Sequence, residues 1–202
     1  MSIVWKYILA AMIAYMLGSF STGLIVARIN HGPDLRSVGS QNTGASNVLR
    51  TMGVKWGLIT FWGDFIKAAL SCLIGLWLTG EIYGAMLAGL MCIIGHNWPV
   101  FFGFKGGKGV ASSCGVMVVC FPIPAVIAYA VAILVIALTK YISLGSLSML
   151  TVFAVITTCF YSRGDLLIIL WAVLLAVLCF LRHRKNIGRL LNHTERKIGE
   201  KA

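Results

Sequence analysis

The sequence predicts an all-α, polytopic membrane helix bundle with seven membrane segments, the N-terminus outside and the C-terminus cytoplasmic. Three observations predict it. Of the 202 residues, 59% are hydrophobic and 11% are charged, whereas an ordinary soluble domain carries about 25% charged residues. A soluble fold of this size has too much surface for its volume to hide that much apolar area. The apolar residues also fall in runs close to the ~20 residues needed to cross roughly 30 Å of hydrocarbon. Finally, the net charge of +11 lies almost entirely in short loops and a tail between those runs. In a soluble protein such an excess would suggest nucleic acid. Between membrane segments it points to anionic lipid headgroups and anionic substrates, and no nucleic-acid partner is expected.

The elements follow in order. Tyr7–Ala27 is the first span; its length and the lack of a cleavage pattern argue for a retained helix rather than a signal peptide. A polar loop runs from Arg28 to Lys55. The second run, Trp56–Thr79, is interrupted by Asp64 and Lys67. Glu81 marks a short turn, and the third run extends from Ile82 to Pro99, with the polar pair His96-Asn97 near its end. A glycine-rich loop, Gly103–Gly109, comes next. Val110–Thr139 is 30 uncharged residues, too long for one straight crossing. Pro122 and Pro124 interrupt it and predict either a kinked helix or two helices. Tyr141–Ser162 and Leu166–Leu181 are the last spans, separated by Arg163, Gly164 and Asp165, and a basic tail runs from Arg182 to Ala202. The chain reads as a single integral membrane domain over residues 1–202.

Charge decides between six and seven segments. With seven, 14 of the 17 Lys and Arg fall on one side and only Lys6 and Arg163 on the other; with six the split is seven to nine. The positive-inside rule favours seven. That reading also gathers the glycine-rich and Arg-rich loops on the cytoplasmic face.

Those loops carry the residues suited to chemistry. In Gly39–Arg50, Ser40, Asn42, Ser46 and Asn47 supply directional hydrogen bonds between glycines that permit close backbone approach. Arg50 supplies a permanently charged fork that matches phosphate. In Phe104–Ser113, Gly106, Gly107 and Gly109 surround Lys108. The spacing is not that of a nucleotide-binding loop, but backbone N–H groups in such a turn, and the start of the helix that follows, can cradle a phosphate. His96 precedes this loop closely enough to support it, or it serves as a helix-packing hydrogen bonder. Asp64 and Lys67 are three apart and share a helix face; they form an internal ion pair or orient a loop residue. Ser143 and Ser146 either cap their helix or line a pocket. His183 and Asn186 share a face just past the last span, where a histidine can orient or deprotonate a hydroxyl. No hydrolase triad or zinc signature is present, and six acidic residues are too few for paired-carboxylate or two-metal chemistry. The six cysteines lie in apolar runs without metal spacing and read as small buried hydrophobes.

Four stretches, in this order and spacing, resemble the acyl-phosphate-dependent glycerol-3-phosphate acyltransferases of bacterial inner membranes. They are Gly39–Arg50 with Thr51, Gly53 and Lys55; Asp64 and Lys67; Gly95-His96 with Trp98–Phe101 and Lys105–Ala111; and Arg182–Leu190. The likeness covers essentially the whole chain. It implies transfer of a long-chain acyl group from acyl phosphate to the primary hydroxyl of glycerol 3-phosphate, giving 1-acyl-glycerol 3-phosphate and inorganic phosphate. No metal or organic cofactor is implied, and the partners are the two substrates and membrane lipid, with the enzyme acting as a monomer. Carried over, Ser40, Arg50 and Lys108 contact substrate phosphate, and Ser143, His183 and Asn186 are polar site residues. Asn42, Asn47, Asp64, Lys67 and His96 shape or support the pocket, and Gly106, Gly107 and Gly109 form the phosphate cradle. Gln41, Ser46, Ala68 and Ser112 depart from the commonest family spelling without removing a charge or donor. A transporter of an anionic solute is the competing reading, but no inverted repeat is apparent.

Overall fold

The computed structural model describes residues 2–200, and among these every regular element is a helix. The chain forms two compact units, one ending at Cys120 and the other Phe121–Glu200.

In the first unit, α1 (Ile3–Ser19) and α2 (Thr22–Ile29) are separated by a break at Phe20 and Ser21. Short α3 (Ala45–Met52) leads through Gly53 into α4 (Val54–Thr79), and Gly80, at φ +77°, ends α4 in the left-handed conformation that glycine adopts without penalty. Next come α5 (Ile82–Asn97), a 3₁₀ turn at Val100–Phe102 and α6 (Val110–Cys120). Helix α5 packs against α1, α4 and α6. Lipid supplies no hydrophobic drive between helices, so close backbone approach across small residues does the work. A Cβ on Gly95 would collide with the Tyr15 carbonyl of α1, and one on Gly115 with the Phe65 carbonyl of α4. At the loop end, Leu24, Ala27, Leu35 and Val48 form a buried cluster with Met52, Trp56 and Phe102 packed on it, which fixes the long first loop over the helices.

The second unit contains α7 (Pro122–Thr139) and α8 (Ile142–Ile156), the latter continued by a π-helical turn at Thr157–Tyr161. Helices α9 (Leu166–Arg182) and α10 (Arg184–Leu191) complete it. Pro122 starts α7, where a missing N–H costs nothing; of the two sequence expectations for this region, the structure takes two helices. Asp165 caps α9 by accepting from the backbone N–H of Leu167 at 2.8 Å and Ile168 at 3.3 Å. Phe121, Phe153 and Trp171 pack ring against ring.

The structure corrects the expected seven membrane segments. Among the described residues five helices are long and apolar enough to cross a membrane, or six if the pair α9 and α10, bent by 64°, is counted as one span. The segment that fails is α6. Its 11 residues reach about 17 Å, roughly half the hydrocarbon thickness. Most of its side chains are buried inside the first unit, so its apolar character serves protein packing rather than lipid. Composition does not distinguish those two uses. The placement of the termini on opposite sides rested on seven crossings and goes with them. Lys201, counted in the basic tail, lies outside the described residues. Of the six cysteines, all unbridged, five are buried as expected and Cys159 is exposed.

Because α1 and α5 touch backbone to backbone at Gly95, Gly95→Val is expected to force them apart and destabilise the fold by roughly 1–3 kcal/mol. Thermal unfolding of the detergent-purified variant measures this; an unchanged midpoint would show that the contact is loose.

Candidate functional site

The break between α1 and α2 leaves backbone carbonyls without helical partners. Lys67, reaching from α4, meets them: its Nζ donates to the Gly18 carbonyl at 3.0 Å and the Phe20 carbonyl at 2.6 Å. Its third hydrogen goes to Asp64 Oδ1 at 2.7 Å. The cation thus sits at a helix C-terminus, where the dipole favours it. Asp64 is 1% exposed and also accepts from Thr22 Oγ1 at 2.9 Å. His96 of α5 completes the cluster, with Nδ1 3.4 Å from Asp64 Oδ1 and 3.2 Å from Lys67 Nζ. The three Lys67 hydrogens already have oxygen acceptors, so His96 Nδ1 is best used as a donor to Asp64. Of the two sequence readings of Asp64 and Lys67, the geometry gives the ion pair, extended to a third member.

The glycine loop rests on this cluster. Gly107 N donates to the His96 carbonyl at 3.0 Å, and a Cβ on Gly107 would overlap the His96 ring. A Cβ on Gly106 would likewise collide with the His96 carbonyl and the Pro99 ring. Gly109, at φ +78°, then turns the chain into α6, and its carbonyl accepts from Ser113 N at 2.7 Å. Lys108 is half-buried between two buried glycines.

Asn47 builds the first loop. Buried to 1% exposure, it donates through Nδ2 to the Leu35 and Val38 carbonyls, both at 3.1 Å, and accepts from Ser40 N at 2.8 Å. Asn42 Oδ1 accepts from Gly44 N at 3.0 Å, an Asx turn that leads into α3. Asn42 and Asn47 thus shape the backbone, whereas Ser40 and Arg50, both half-buried, stand on the framework they make.

In the second unit a different centre emerges, and sequence reasoning missed it. Glu195 of the tail folds back over α8 and α10. Its Oε1 accepts from Ser143 Oγ at 2.7 Å and from Asn186 Nδ2 at 2.6 Å, and its Oε2 from Arg189 Nε at 2.6 Å. The Ile198 N–H also donates to the Lys140 carbonyl at 2.8 Å, which pins the tail beside the start of α8. Ser143 therefore joins Asn186 around one carboxylate, while Ser146 bonds back to the Ile142 carbonyl of its own helix. His183 sits at the bend between α9 and α10, 2% exposed. Its Nδ1 lies 2.8 Å from the Cys179 carbonyl, which can only accept, so the hydrogen is on Nδ1. Glu195 had one legible signal: it is one of six acidic residues in the chain, and a carboxylate in a basic tail has partners close by. Thr22 had none, since its role depends on where α1 breaks.

Burial pushes the Glu195 carboxyl up, but the hydrogen bonds from Asn186, Arg189 and Ser143 outweigh it and hold the group below its ordinary range. A lowered carboxyl stabilises the fold above the unfolded value of about 4.3, and that contribution is lost as pH falls through the folded value. Thermal unfolding of the wild type is therefore expected to weaken on acidification below about pH 4–5 more than that of Glu195→Gln; parallel pH profiles would refute it. Glu195→Ala, which strands two buried donors and a guanidinium, is expected to cost roughly 3 kcal/mol.

The glycerol-3-phosphate acyltransferase family model matches residues 8–193. The glycerol-3-phosphate acyltransferase of Thermoanaerobacter sp. (strain X514) is 42% identical over 195 residues, covering 96% of this chain and 97% of that protein. That of Clostridioides difficile (strain 630) is 42% identical over 204 residues, covering 98% of each. The crystal structure of PlsY (YgiH), an integral membrane glycerol 3-phosphate acyltransferase, in its glycerol 3-phosphate form, superposes with a TM-score of 0.89 at 36% identity, covering 96% of both chains. Its lysophosphatidic acid form gives 0.86 at 34% identity, covering 96% of this chain and 95% of that one. With its four motifs, its helical fold and these matches over nearly its whole length, this chain belongs to the glycerol-3-phosphate acyltransferase family.

Proposed function

We propose that this protein transfers a long-chain acyl group from acyl phosphate to the sn-1 hydroxyl of glycerol 3-phosphate. The products are 1-acyl-glycerol 3-phosphate and inorganic phosphate. The observation that carries the reading is the likeness, over 96% of the chain, to an acyltransferase solved in its glycerol 3-phosphate form. The family match spans residues 8–193, which supports treating both units as parts of one acyltransferase domain. The transporter reading has no such support.

In the reaction the substrate hydroxyl oxygen attacks the acyl carbonyl carbon. The bond from that carbon to the phosphate oxygen breaks, and phosphate leaves with the electron pair. An acyl phosphate carries a good leaving group, so placement and charge stabilisation supply most of the barrier reduction. In this reading Arg50, Lys108 and Ser40 neutralise and position phosphate oxygens, and the Gly109 N–H and the start of α6 add backbone donors, the Gly107 N–H being engaged by the His96 carbonyl. The His96–Asp64–Lys67 cluster holds that loop in place from beneath. His183 and Asn186 hold the glycerol hydroxyls, and Ser143 orients Asn186 through their common bond to Glu195. In this reading His183, with its hydrogen on Nδ1, orients the attacking hydroxyl rather than taking its proton.

The protein is a multi-pass membrane protein. Its place is the bacterial inner (cytoplasmic) membrane, with the active site facing the cytoplasm. The basic loops support this: Arg28, Arg36, Arg50, Lys55, Lys105 and Lys108 lie at one end of the first unit, as the positive-inside rule expects of a cytoplasmic face. It works as a monomer on membrane-dissolved acyl phosphate and soluble glycerol 3-phosphate.

Purified protein given long-chain acyl phosphate and glycerol 3-phosphate is expected to release lysophosphatidate and phosphate in equal amounts. Solute flux without covalent turnover would sink the reading. Arg50→Ala and Lys108→Ala are each expected to lower kcat/KM at least about 100-fold while the fold persists. For His183, near-normal turnover in His183→Asn would fit an orienting role; a large loss tracking a neutral-pH titration would assign it the proton instead.

A further inference from the structure

Among the buried polar groups of the first unit without a hydrogen-bond partner, which include Ser21 Oγ, Thr43 Oγ1 and Arg50 Nε, two side chains flank the start of α6. Asn97, the last residue of α5, is 0% exposed, and neither Oδ1 nor Nδ2 has a hydrogen-bond partner among the described residues. Ser112, in the first turn of α6, is likewise 0% exposed with an unpartnered Oγ. Asn97 differs from the buried amide Asn47, whose nitrogen and oxygen are both bonded, in that its whole carboxamide is unmatched. Leaving an amide and a hydroxyl unmatched away from water is costly, and such groups persist where a function requires them.

Their location indicates the function. The Asn97 carboxamide lies against Gly109: a Cβ there would be 3.0 Å from Oδ1 and 3.5 Å from Nδ2. Gly109 is the residue that opens α6, an 11-residue helix with no acidic residue in its first turn. The backbone N–H groups of Val110, Ala111 and Ser112 have no acceptor within the helix, and they give that end its partial positive charge. Lys108 precedes it. Asp64, the carboxylate that meets His96 under the glycine loop, is already matched by Lys67 and by His96. A buried amide lies against Gly109, and the helix that starts there carries a buried unmatched hydroxyl in its first turn and follows directly on Lys108.

We propose that Asn97 and Ser112 donate hydrogen bonds to a substrate phosphate held at the start of α6. They are then binding residues of the acyl-transfer site in addition to those assigned above. The inference rests on the acyltransferase reading for the identity of the ligand, a phosphate monoester or the acyl phosphate itself. A neutral amide and a hydroxyl suit this place. They add directional donors without placing a second buried charge beside Lys108, and their dipoles, shielded from water, are oriented before the anion arrives. The same two groups weaken the empty fold, which is the usual cost of a preorganised site.

That cost provides the test. Ser112→Ala removes an unmatched hydroxyl, so it should unfold at the same temperature as the wild type or higher, while the KM for one phosphate substrate rises about 10-fold. Asn97→Asp keeps the shape but sets an acceptor against the anion, and should raise that KM at least about 100-fold. A rise confined to glycerol 3-phosphate assigns the acceptor's phosphate to α6; a rise confined to acyl phosphate assigns the donor's. Unchanged values for both substrates in both variants would overturn the proposal. Thermal stabilisation by glycerol 3-phosphate and by inorganic phosphate, measured without turnover, separates this idea from the reaction itself. Stabilisation present in the wild type and lost in both variants supports the assignment even if no lysophosphatidate forms; equal stabilisation in all three proteins refutes it.

Discussion

One largely enclosed ammonium, that of Lys67, determines much of the first unit. α1 stops at Ser19 and α2 starts at Thr22, so the chain leaves backbone carbonyls exposed in the middle of a membrane segment. Hydrocarbon cannot hydrogen-bond them. Lys67 does, and Asp64 balances its charge, with Thr22 and His96 filling the remaining positions around the carboxylate. Each member needs the others. Without Lys67 the break and Asp64 would both be stranded; without Asp64 a lysine would be buried alone, which is expensive in this medium. The cluster therefore satisfies a local defect in the backbone. Through the His96 ring and carbonyl, it also sets the height of the glycine loop.

This arrangement explains why rigid support lies directly beneath a loop made of glycines. Glycine allows close approach to an anion but contributes no side-chain packing of its own. The His96 ring takes the space that side chains at Gly107 would otherwise occupy. The result is a turn whose backbone donors are fixed by the helices below it. The second unit solves a comparable problem with opposite charge. There a single carboxylate, Glu195, draws Ser143, Asn186 and Arg189 together and folds the tail back on α8. A basic cluster after the last apolar helix would by itself be a lipid-headgroup anchor; the acid within it makes it a defined structure.

The α6 segment shows how a membrane sequence can mislead. Its run of Val, Ala, Ser, Cys and Met is apolar enough for lipid, and counting it as a crossing improves the charge asymmetry between the two sides. Its length argues otherwise, and so does its burial: Gly115 brings it against the α4 backbone, and eight of its residues are enclosed by protein. A half-length helix packed in this way does not span the bilayer. It begins next to the glycine loop, so its positive end is turned to the loop rather than to lipid.

The sequence alone determined the membrane class, the helical runs and the motif residues, because each is a matter of composition or local spacing. Runs of about 20 apolar residues admit few structures, and glycines beside Lys108 or an arginine after Asn47 are local patterns. Asp64 and Lys67 were legible as partners because three residues on one helix make one face. Tertiary structure alone decided which chain segments meet. Thr22 reaching Asp64 across 42 positions, His96 reaching Asp64 and Lys67 from another helix, and Glu195 reaching Ser143 across 52 are contacts between distant elements. The same holds for α6, whose role depends on whether its apolar face meets lipid or protein. Hydrophobicity measures the preference to leave water, not the partner that replaces it; only the packed fold names that partner.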